Sequence, residues 1–283
     1  MTLNLWCEPD ERSERHRLAG RLAALLNVDV LAVQEVANVP FDETLGLIVE
    51  HSDLQVVAVS AASAPPVREG TLHTAVLSRL PARAHEPIRF AVPGSSYDRA
   101  AAAAVIRSRA GRDLLAVSAH LAWGGLAEHE RISQAARLDH AVSVLLADGS
   151  APAVLAGDFN TLPSSATLRF LTGLDPFEGR CAQWVDSFAV AGVGSGVSSS
   201  GSNSWARLTA SRHGFLDPGA LPERRIDYVM VRGYAYGRPF APLRSFSVPA
   251  ELCGALLPET TFPPSDHDPV VADLWDPASV TGS

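Results

Sequence analysis

Polar residues that can bind a metal ion or move a proton stand at the ends of apolar segments in this sequence. Gln34 and Glu35 follow the run Val28–Val33, and His120 follows Leu114–Ala119. Asp158 and Asn160 come directly after the short run Ala153–Ala156. Strands that are buried on both faces expose polar groups mainly at their ends, where sites form. The pattern therefore indicates a site at one edge of a sheet.

Further acidic residues begin two later strand-like segments. Asp227 opens the run Asp227–Val231, and Asp266 and His267 precede Pro269 and the last apolar segment. Asn4 lies near the start, inside Thr2–Trp6. Each of these features alone is typical of a turn, a solvated strand end or a buried histidine. Their recurrence at successive strand ends favours a common site.

The acidic residues of this set need a counter-charge if they converge. Asp158 and Asn160 are two residues apart, so both side chains point to one side of an extended backbone. Two carboxylates 4 Å apart repel by roughly 4 kcal/mol at an effective dielectric constant near 20. A hard divalent cation would offset that repulsion, and an all-oxygen ligand set favours Mg²⁺ or Mn²⁺ over Zn²⁺. The sequence therefore predicts a Mg²⁺ or Mn²⁺ site.

The composition excludes several other chemistries. The chain has 283 residues and a net charge of −8, and all 23 of its basic residues are arginine. Without lysine there is no Schiff-base chemistry, no ordinary P-loop and no protein kinase site. The sequence has no G-x-S-x-G, and Ser133 interrupts the H-E-x-x-H pattern that begins at His129. Serine hydrolases of the nucleophile-elbow type and zincins are therefore unsupported.

The remaining composition predicts a globular protein of the cytoplasm. Hydrophobic residues make up 47% of the chain, yet no apolar run approaches the 18 residues of a membrane span. The three cysteines form no C-x-x-C pair, which favours reduced thiols, and no signal peptide is visible at the first residue. We expect a monomer made of a single domain over residues 1–283.

The apolar patterns predict a mixed α/β fold. Strands are expected over 28–34, 54–59, 74–77, 101–106, 114–118, 153–156, 226–231 and 269–274, and helices over 11–26, 41–50, 128–146 and 164–171. Residues 107–113 are expected to form the tip of a hairpin. The segment 192–204 is almost entirely Gly, Ser and Val, and we predict a mobile loop there.

Together the motifs resemble the endonuclease/exonuclease/phosphatase superfamily of metal-dependent phosphoesterases. The resemblance rests on Thr2-x-Asn-x-Trp6, Val-Gln-Glu35, Ser-Ala-His120-Leu, Gly-Asp158-Phe-Asn160, Arg-Ile-Asp227-Tyr-Val and Ser-Asp266-His267-Asp-Pro-Val, in the family's order. It spans nearly the whole chain. His120 favours the branch that resembles deoxyribonucleases and sphingomyelinases over the AP endonucleases.

The resemblance implies a four-layered α/β sandwich, with two packed mixed sheets flanked by helices. It implies that Glu35 is the principal metal ligand, with Asp266 beside it and Asn4 ligating directly or through water. It also implies catalytic roles for five residues, namely Asp158 on the attacking water, Asn160 on a phosphoryl oxygen, His267 on the phosphate, Asp227 supporting His267, and His120 on the leaving oxygen. Arg99 matches a position where relatives carry a phosphate-binding arginine.

The implied activity is hydrolysis of phosphate esters by in-line attack of water with Mg²⁺ or Mn²⁺. A phosphodiesterase, including a nuclease acting on nucleic acid, is the leading hypothesis. A phosphomonoesterase or a sphingomyelinase-like phospholipid phosphodiesterase is the alternative within this chemistry. A non-catalytic binding module that retains the fold is the alternative from another class.

Overall fold

Two mixed β-sheets pack face to face at the centre of the computed structural model, which describes residues 1–37, 41–60, 71–95, 99–146, 151–214, 217, 220–235 and 238–276. Its strands are β1 (Thr2–Asn4), β2 (Val30–Ala37), β3 (Gln55–Val59), β4 (Leu72–Ser78), β5 (Ala82–Arg89), β6 (Ala100–Arg107), β7 (Asp113–His120), β8 (Ala153–Asp158), β9 (Val185–Asp186), β10 (Asp227–Arg232), β11 (Tyr234–Ala235), β12 (Arg238–Pro239), β13 (Ala241–Ser247) and β14 (Val270–Trp275). The first sheet has the order β13-β14-β1-β2-β4-β3 and the second β5-β6-β7-β8-β10-β9, while β11 and β12 form a separate ribbon.

Helices cover the outer faces of both sheets. They are α1 (Arg12–Leu25), α2 (Phe41–Glu50), α3 (Glu128–Leu145), α4 (Ala166–Leu171), α5 (Ser187–Ala191), α6 (Ser204–Arg212) and α7 (Ala250–Leu256). The core on the first sheet includes α1 and α2, and the core on the second includes α3 and α4. The predicted four-layered α/β sandwich is therefore confirmed.

Apolar side chains of both sheets line the space between them, which retains a cavity of about 500 Å³. Ala102, Ala104 and Ala116 of the second sheet pack with Val76 of the first. Larger side chains fill the outer core, where Phe159 and other apolar residues of the second sheet meet α3 and α4. Alternate side chains of β6 and β7 face the opposite sheet or the helices, so a shift of one residue in register would exchange the two sets.

The registers of a few strand pairs bring the polar strand ends together. The parallel pair β1–β2 places Asn4 opposite Gln34, and the parallel pair β7–β8 places His120 opposite Asp158. The antiparallel pair β8–β10 places Asp227 opposite Asp158. Parallel strands end at the same edge of a sheet, so these residues share one end of the sandwich.

The sequence patterns predicted most of these elements. All eight expected strands are present, with boundaries that differ by a few residues, and residues 107–113 form the tip of the β6–β7 hairpin. The four expected helices are also present. The sequence patterns do not predict strands β1, β5, β9 and β11–β13 or helices α5–α7. Short strands and helices and the exposed edge strand β5 lack a clear apolar period.

The Gly/Ser segment 192–204 contributes buried polar contacts. Ser198, Ser199, Ser200 and Asn203 are buried, and Asn203 caps helix α6 by accepting from the Trp205 and Ala206 N–H groups. These serines are too small to form an apolar core, and they meet backbone groups of neighbouring loops instead. The mobility of this segment and the single-domain organisation stay predictions.

The described helices are short or polar relative to a membrane span. None of them is both long enough and apolar enough to cross a bilayer.

Candidate active site

A β-bulge positions Glu35 at the end of β2. The pairing of β2 with β4 shifts register between Val33 and Val36, and Glu35 adopts a left-handed backbone conformation with φ 55°. A bulge bends its strand and re-aims a side chain. Gln34 therefore stays between the sheets, where its amide donates to Ser118 Oγ at 3.0 Å, while Glu35 turns to the edge.

Asn4 joins two carboxylates of the site. Its Nδ2 atom donates to Glu35 Oε1 at 3.1 Å and to Asp158 Oδ2 at 3.0 Å. Its Oδ1 atom accepts from the Trp6 N–H at 2.9 Å, which fixes the amide plane. Burial alone would raise the pKa of Glu35, but the His120 ring and the N–H donors of Cys7 and Asn4 lower it to about 2. Glu35 is therefore a stable carboxylate.

Asp158 is the last residue of β8, and Asn160 lies in the turn that follows it. Asp158 Oδ1 accepts from the Asn160 N–H at 2.8 Å, and Asp158 Oδ2 accepts from Asn160 Nδ2 at 3.2 Å. Gly157 has φ 153°, and a Cβ atom there would lie 1.8 Å from the Ala119 carbonyl oxygen. Only glycine permits β8 to approach β7 this closely. Burial and the charge of Asp227 raise the pKa of Asp158 to about 7.

His267 and Asp227 form a buried pair beside Asp158. The Nδ1 atom of His267 lies 2.8 Å from Asp227 Oδ2, and its Nε2 atom lies 3.9 Å from Asp158 Oδ2. Burial would lower the pKa of His267, but the charges of Asp227 and Asp158 raise it well above the usual value. The ring is therefore protonated at neutral pH, with Nδ1–H donating to Asp227 and Nε2–H facing the site.

His120 has the opposite environment. Its Nδ1 atom lies 3.3 Å from Arg99 Nη1, and its Nε2 atom lies 3.5 Å from Asp158 Oδ2. Burial and the positive charge of Arg99 lower the pKa of His120 to about 3. A guanidinium group only donates hydrogen bonds, so Nδ1 accepts and the single ring proton is on Nε2.

Asp266 lies close to Glu35 at the edge of the site. Burial raises its pKa, and so does the negative charge of Glu35, while His267, Thr209 and Arg15 act in the other direction. The Thr209 hydroxyl donates to Asp266 Oδ2 at 2.9 Å. A buried carboxylate beside another carboxylate is unfavourable without a further cation.

The donor set fits a hard divalent cation. Asp227 Oδ1 is buried and accepts no hydrogen bond among the described residues. Among the described residues, Asp158, Asp227 and His267 bring one carboxylate oxygen or ring nitrogen each to within 4.8 Å of one another, and the protonated His267 ring leaves the two carboxylates as the groups of this cluster that can bind a metal. Glu35 and Asp266 add two carboxylates. Carboxylate oxygens are the ligands that Mg²⁺ and Mn²⁺ prefer.

The predicted site residues converge on one end of the sandwich. Contacts or shared strand ends connect all of them, namely Asn4, Glu35, Arg99, His120, Asp158, Asn160, Asp227, Asp266 and His267. Their roles in catalysis and metal binding stay predictions.

Several residues that support the site were not singled out from the sequence. The Ser265 hydroxyl donates to the Asn4 carbonyl oxygen and accepts from the His267 N–H. Ser198 Oγ accepts from the Ile226 and Asp227 N–H groups, both at 3.1 Å. The Cys7 N–H donates to Glu35 Oε2 at 2.9 Å. Ser265 lies inside a quoted motif, but no sequence signal marks Ser198 or Cys7.

The comparison with protein families identifies this arrangement. The model of the Endonuclease/Exonuclease/phosphatase family matches residues 1–267. The chain belongs to this family, and it is a phosphoesterase. A search of the curated proteins gave no match.

Solved structures share the fold at low sequence identity. A mannosyl-6-phosphatase from Bacteroides thetaiotaomicron VPI-5482 is 17% identical with a TM-score of 0.68, covering 97% of this chain and 98% of that one. TDP2 from D. rerio, complexed with a single strand DNA product, is 17% identical with a TM-score of 0.68, covering 97% of each chain. An endonuclease/exonuclease/phosphatase from Bacteroides vulgatus is 19% identical with a TM-score of 0.65, also covering 97% of each. At these identities the likeness establishes the fold alone.

Proposed function

We propose that this phosphoesterase is a Mg²⁺- or Mn²⁺-dependent phosphodiesterase that cleaves polynucleotides. The observation that carries the proposal is the buried group Asp158, Asp227 and His267 beside Glu35. Two of these groups hold opposite charges, and the third has a pKa near neutrality, as acid–base chemistry at phosphorus requires. The TDP2 structure with a single strand DNA product supports a polynucleotide as substrate.

Metal binding is assigned to the carboxylates outside the His267–Asp227 pair. The pKa of His267 is raised, so its ring is protonated and offers no lone pair to a metal. Glu35 and Asp266 would therefore hold the ion, and Asn4 keeps the Glu35 carboxylate in place through Nδ2. When bound, Mg²⁺ or Mn²⁺ supplies Lewis-acid polarisation of a phosphoryl oxygen.

Asp158 is the group that accepts a proton from the attacking water. Its pKa of about 7 lies close to a neutral working pH, and a general base is most effective when its pKa is near the working pH. Asn4 and Asn160 donate to Asp158 Oδ2 and hold the carboxylate in one orientation. A base with a fixed orientation avoids reorganisation at the moment of proton transfer.

The two histidines supply hydrogen-bond donors of different charge. His267 is an imidazolium fixed by Asp227, and its Nε2–H stabilises negative charge that develops on the phosphoryl oxygens. His120 is a neutral ring whose Nε2–H faces Asp158 and the leaving oxygen. Asn160 Nδ2 is a third donor, and it donates to Asp158 Oδ2. Preorganised donors of this kind each contribute about 2.7–4 kcal/mol to transition-state stabilisation.

A substrate panel tests this proposal. The protein is assayed with bis(p-nitrophenyl) phosphate, p-nitrophenyl phosphate, a single-stranded oligonucleotide and sphingomyelin vesicles, each with Mg²⁺, Mn²⁺ or EDTA. We expect hydrolysis of the diester and the oligonucleotide with either ion, and none with EDTA. Asp158→Asn should lose at least 100-fold in rate, whereas Asp175→Asn, on an exposed surface ion pair with Arg169, should not.

Three outcomes would contradict the proposal. Hydrolysis of the monoester alone would assign a phosphomonoesterase, and cleavage of sphingomyelin alone would assign a phospholipid phosphodiesterase. Absence of turnover on every ester by folded protein would assign a binding module.

A further inference from the structure

A basic groove lies on the outer side of the second sheet, between the end of β5, helix α3 and the loop before β9. Its volume is about 410 Å³, and it is lined by Arg89, Ser133, Arg137, His140, Glu178 and Arg180 among others. Arg137 and His140 are three residues apart on α3, so they lie on one face of the helix. Arg180 and Glu178 approach from the loop.

The charge of this groove is opposite to that of the whole protein. Three arginines and one histidine face a single glutamate, although the chain carries a net charge of −8. Many other arginines are neutralised, such as Arg169 by Asp175 and Arg225 by Asp186. Within the described part of the chain, Arg137 and Arg180 form no ion pair with a carboxylate. Clustered like charges of this kind attract an anion.

Two sets of contacts connect the basic groove with the candidate active site. On one side, Phe90 follows Arg89 in the chain, and its N–H donates to the Arg99 carbonyl oxygen. The Arg99 side chain in turn contacts His120. On the other side, Gln134 of α3 accepts from the Ala122 N–H, two residues beyond His120.

The groove therefore begins close to the loop that follows His120. Arg137 lies three residues beyond Gln134, roughly 4.5 Å along the helix axis.

We propose that the basic groove binds the phosphodiester backbone of a polynucleotide whose scissile phosphate occupies the candidate active site. This inference rests on the proposed function and names its substrate class. The groove presents guanidinium groups, which match phosphate oxygens in a bidentate manner. None of the described residues that line it is Phe, Tyr or Trp, so these residues contact phosphates and not stacked bases. A monoester with one phosphate would leave the groove unused.

The test is the double variant Arg137→Gln/Arg180→Gln. Its control is Arg17→Gln/Arg107→Gln, which removes the same charge from exposed arginines elsewhere. Steady-state kinetics are measured with an oligonucleotide and with bis(p-nitrophenyl) phosphate. Binding of the oligonucleotide is measured by fluorescence anisotropy over a range of salt, with Mg²⁺ present, after Asp158→Asn is added to each protein to prevent cleavage.

We expect the groove variant to raise KM for the oligonucleotide several-fold, with kcat and hydrolysis of the small diester unchanged. The slope of log K against log salt should fall by about 1.4, because each phosphate contact to a single strand contributes about 0.7. The control should retain the original slope.

The result that overturns this inference is a groove variant with the same KM and salt slope as the control. If the groove variant behaves like the control while the wild-type protein cleaves diesters, the groove assignment alone is wrong. If the wild-type protein cleaves no diester with either ion, the proposed function is wrong, and this inference is wrong with it.

Discussion

Arg99 donates a hydrogen bond to His120 Nδ1 across 3.3 Å, and this contact places the proton of the neutral His120 ring on Nε2. Which nitrogen of a histidine carries the proton is set by the partner of the other nitrogen. Arg99 therefore positions His120 in addition to any contact with substrate.

Replacement of Arg99 by Met should allow the His120 ring to adopt either neutral tautomer. Nitrogen NMR of the wild-type protein should place the His120 proton on Nε2, and Arg99→Met should give a mixture of both tautomers. The loss of one positive neighbour should also raise the pKa of His120. Activity should fall about 10- to 100-fold, as for other residues that orient a functional ring. Arg83→Met, on the exposed part of β5, is the control, and an unchanged His120 spectrum would contradict the assignment.

Replacement of Asp227 by Asn should remove the carboxylate that keeps His267 protonated. The Asp227 carboxylate accepts from His267 at 2.8 Å and raises the pKa of that ring. In Asp227→Asn, this pKa should fall, and kcat should fall about 10²- to 10⁴-fold. The pH–rate profile and the NMR titration of His267 measure the two effects. A variant whose activity falls while the His267 titration stays unchanged would indicate a different role for Asp227.

Metal binding can be measured apart from activity. Calorimetric titration with Mn²⁺ should give weaker binding by at least tenfold in Glu35→Gln and in Asp266→Asn, because each loses a charged oxygen ligand. Glu43→Gln, on the exposed side of α2, should bind as the wild type does. Equal Mn²⁺ affinity in all four proteins would remove Glu35 and Asp266 from the metal site.

Gly157 should tolerate no side chain. A Cβ atom at this position lies 1.8 Å from the Ala119 carbonyl oxygen, so Gly157→Ala must separate β7 from β8. We expect a loss of several kcal/mol in the free energy of unfolding. Gly46→Ala is the matched control, because nothing lies within 4 Å of its Cβ position on α2. That substitution should raise stability by about 0.5–1 kcal/mol. Urea denaturation measures both, and similar stability of the two variants would contradict the close approach.

Acid should destabilise the protein through His16 on helix α1. Burial and the charges of Arg15 and Arg12 lower its pKa from 6.5 to about 3, so the folded protein keeps the ring neutral. The unfolded chain binds a proton below pH 6.5. The neutral His16 ring therefore leaves the free energy of unfolding unchanged above pH 6.5. Below that pH the free energy of unfolding falls, by roughly 3 kcal/mol at pH 4.

His16→Gln should flatten this dependence relative to the wild type in urea denaturation at pH 7, 5.5 and 4.5. His85→Gln serves as the control, and a steep acid dependence that persists in His16→Gln would assign the effect to other groups.

The site could be predicted from the sequence because its residues follow strands with clear apolar runs. Asp158 and His120 end such strands, and their registers then place them opposite each other. The bulge that turns Glu35 outward could not be predicted, since it depends on the pairing of β2 with β4. The same holds for Ser198, whose hydroxyl meets Asp227 only after a long loop folds back. Tertiary pairing decides such contacts, and local pattern does not.

The hydrogen bonds of Asn4 have a consequence for protein synthesis. Asn4 contacts Asp158, 154 residues further along the chain, and its carbonyl oxygen accepts from Ser265, 261 residues away. While residues 265–270 are still inside the ribosome, Asp266 and His267 cannot join Asn4 at the candidate site. The candidate site can therefore assemble only after residue 267 has been synthesised, and a shorter nascent chain holds Asn4 without its distant partners.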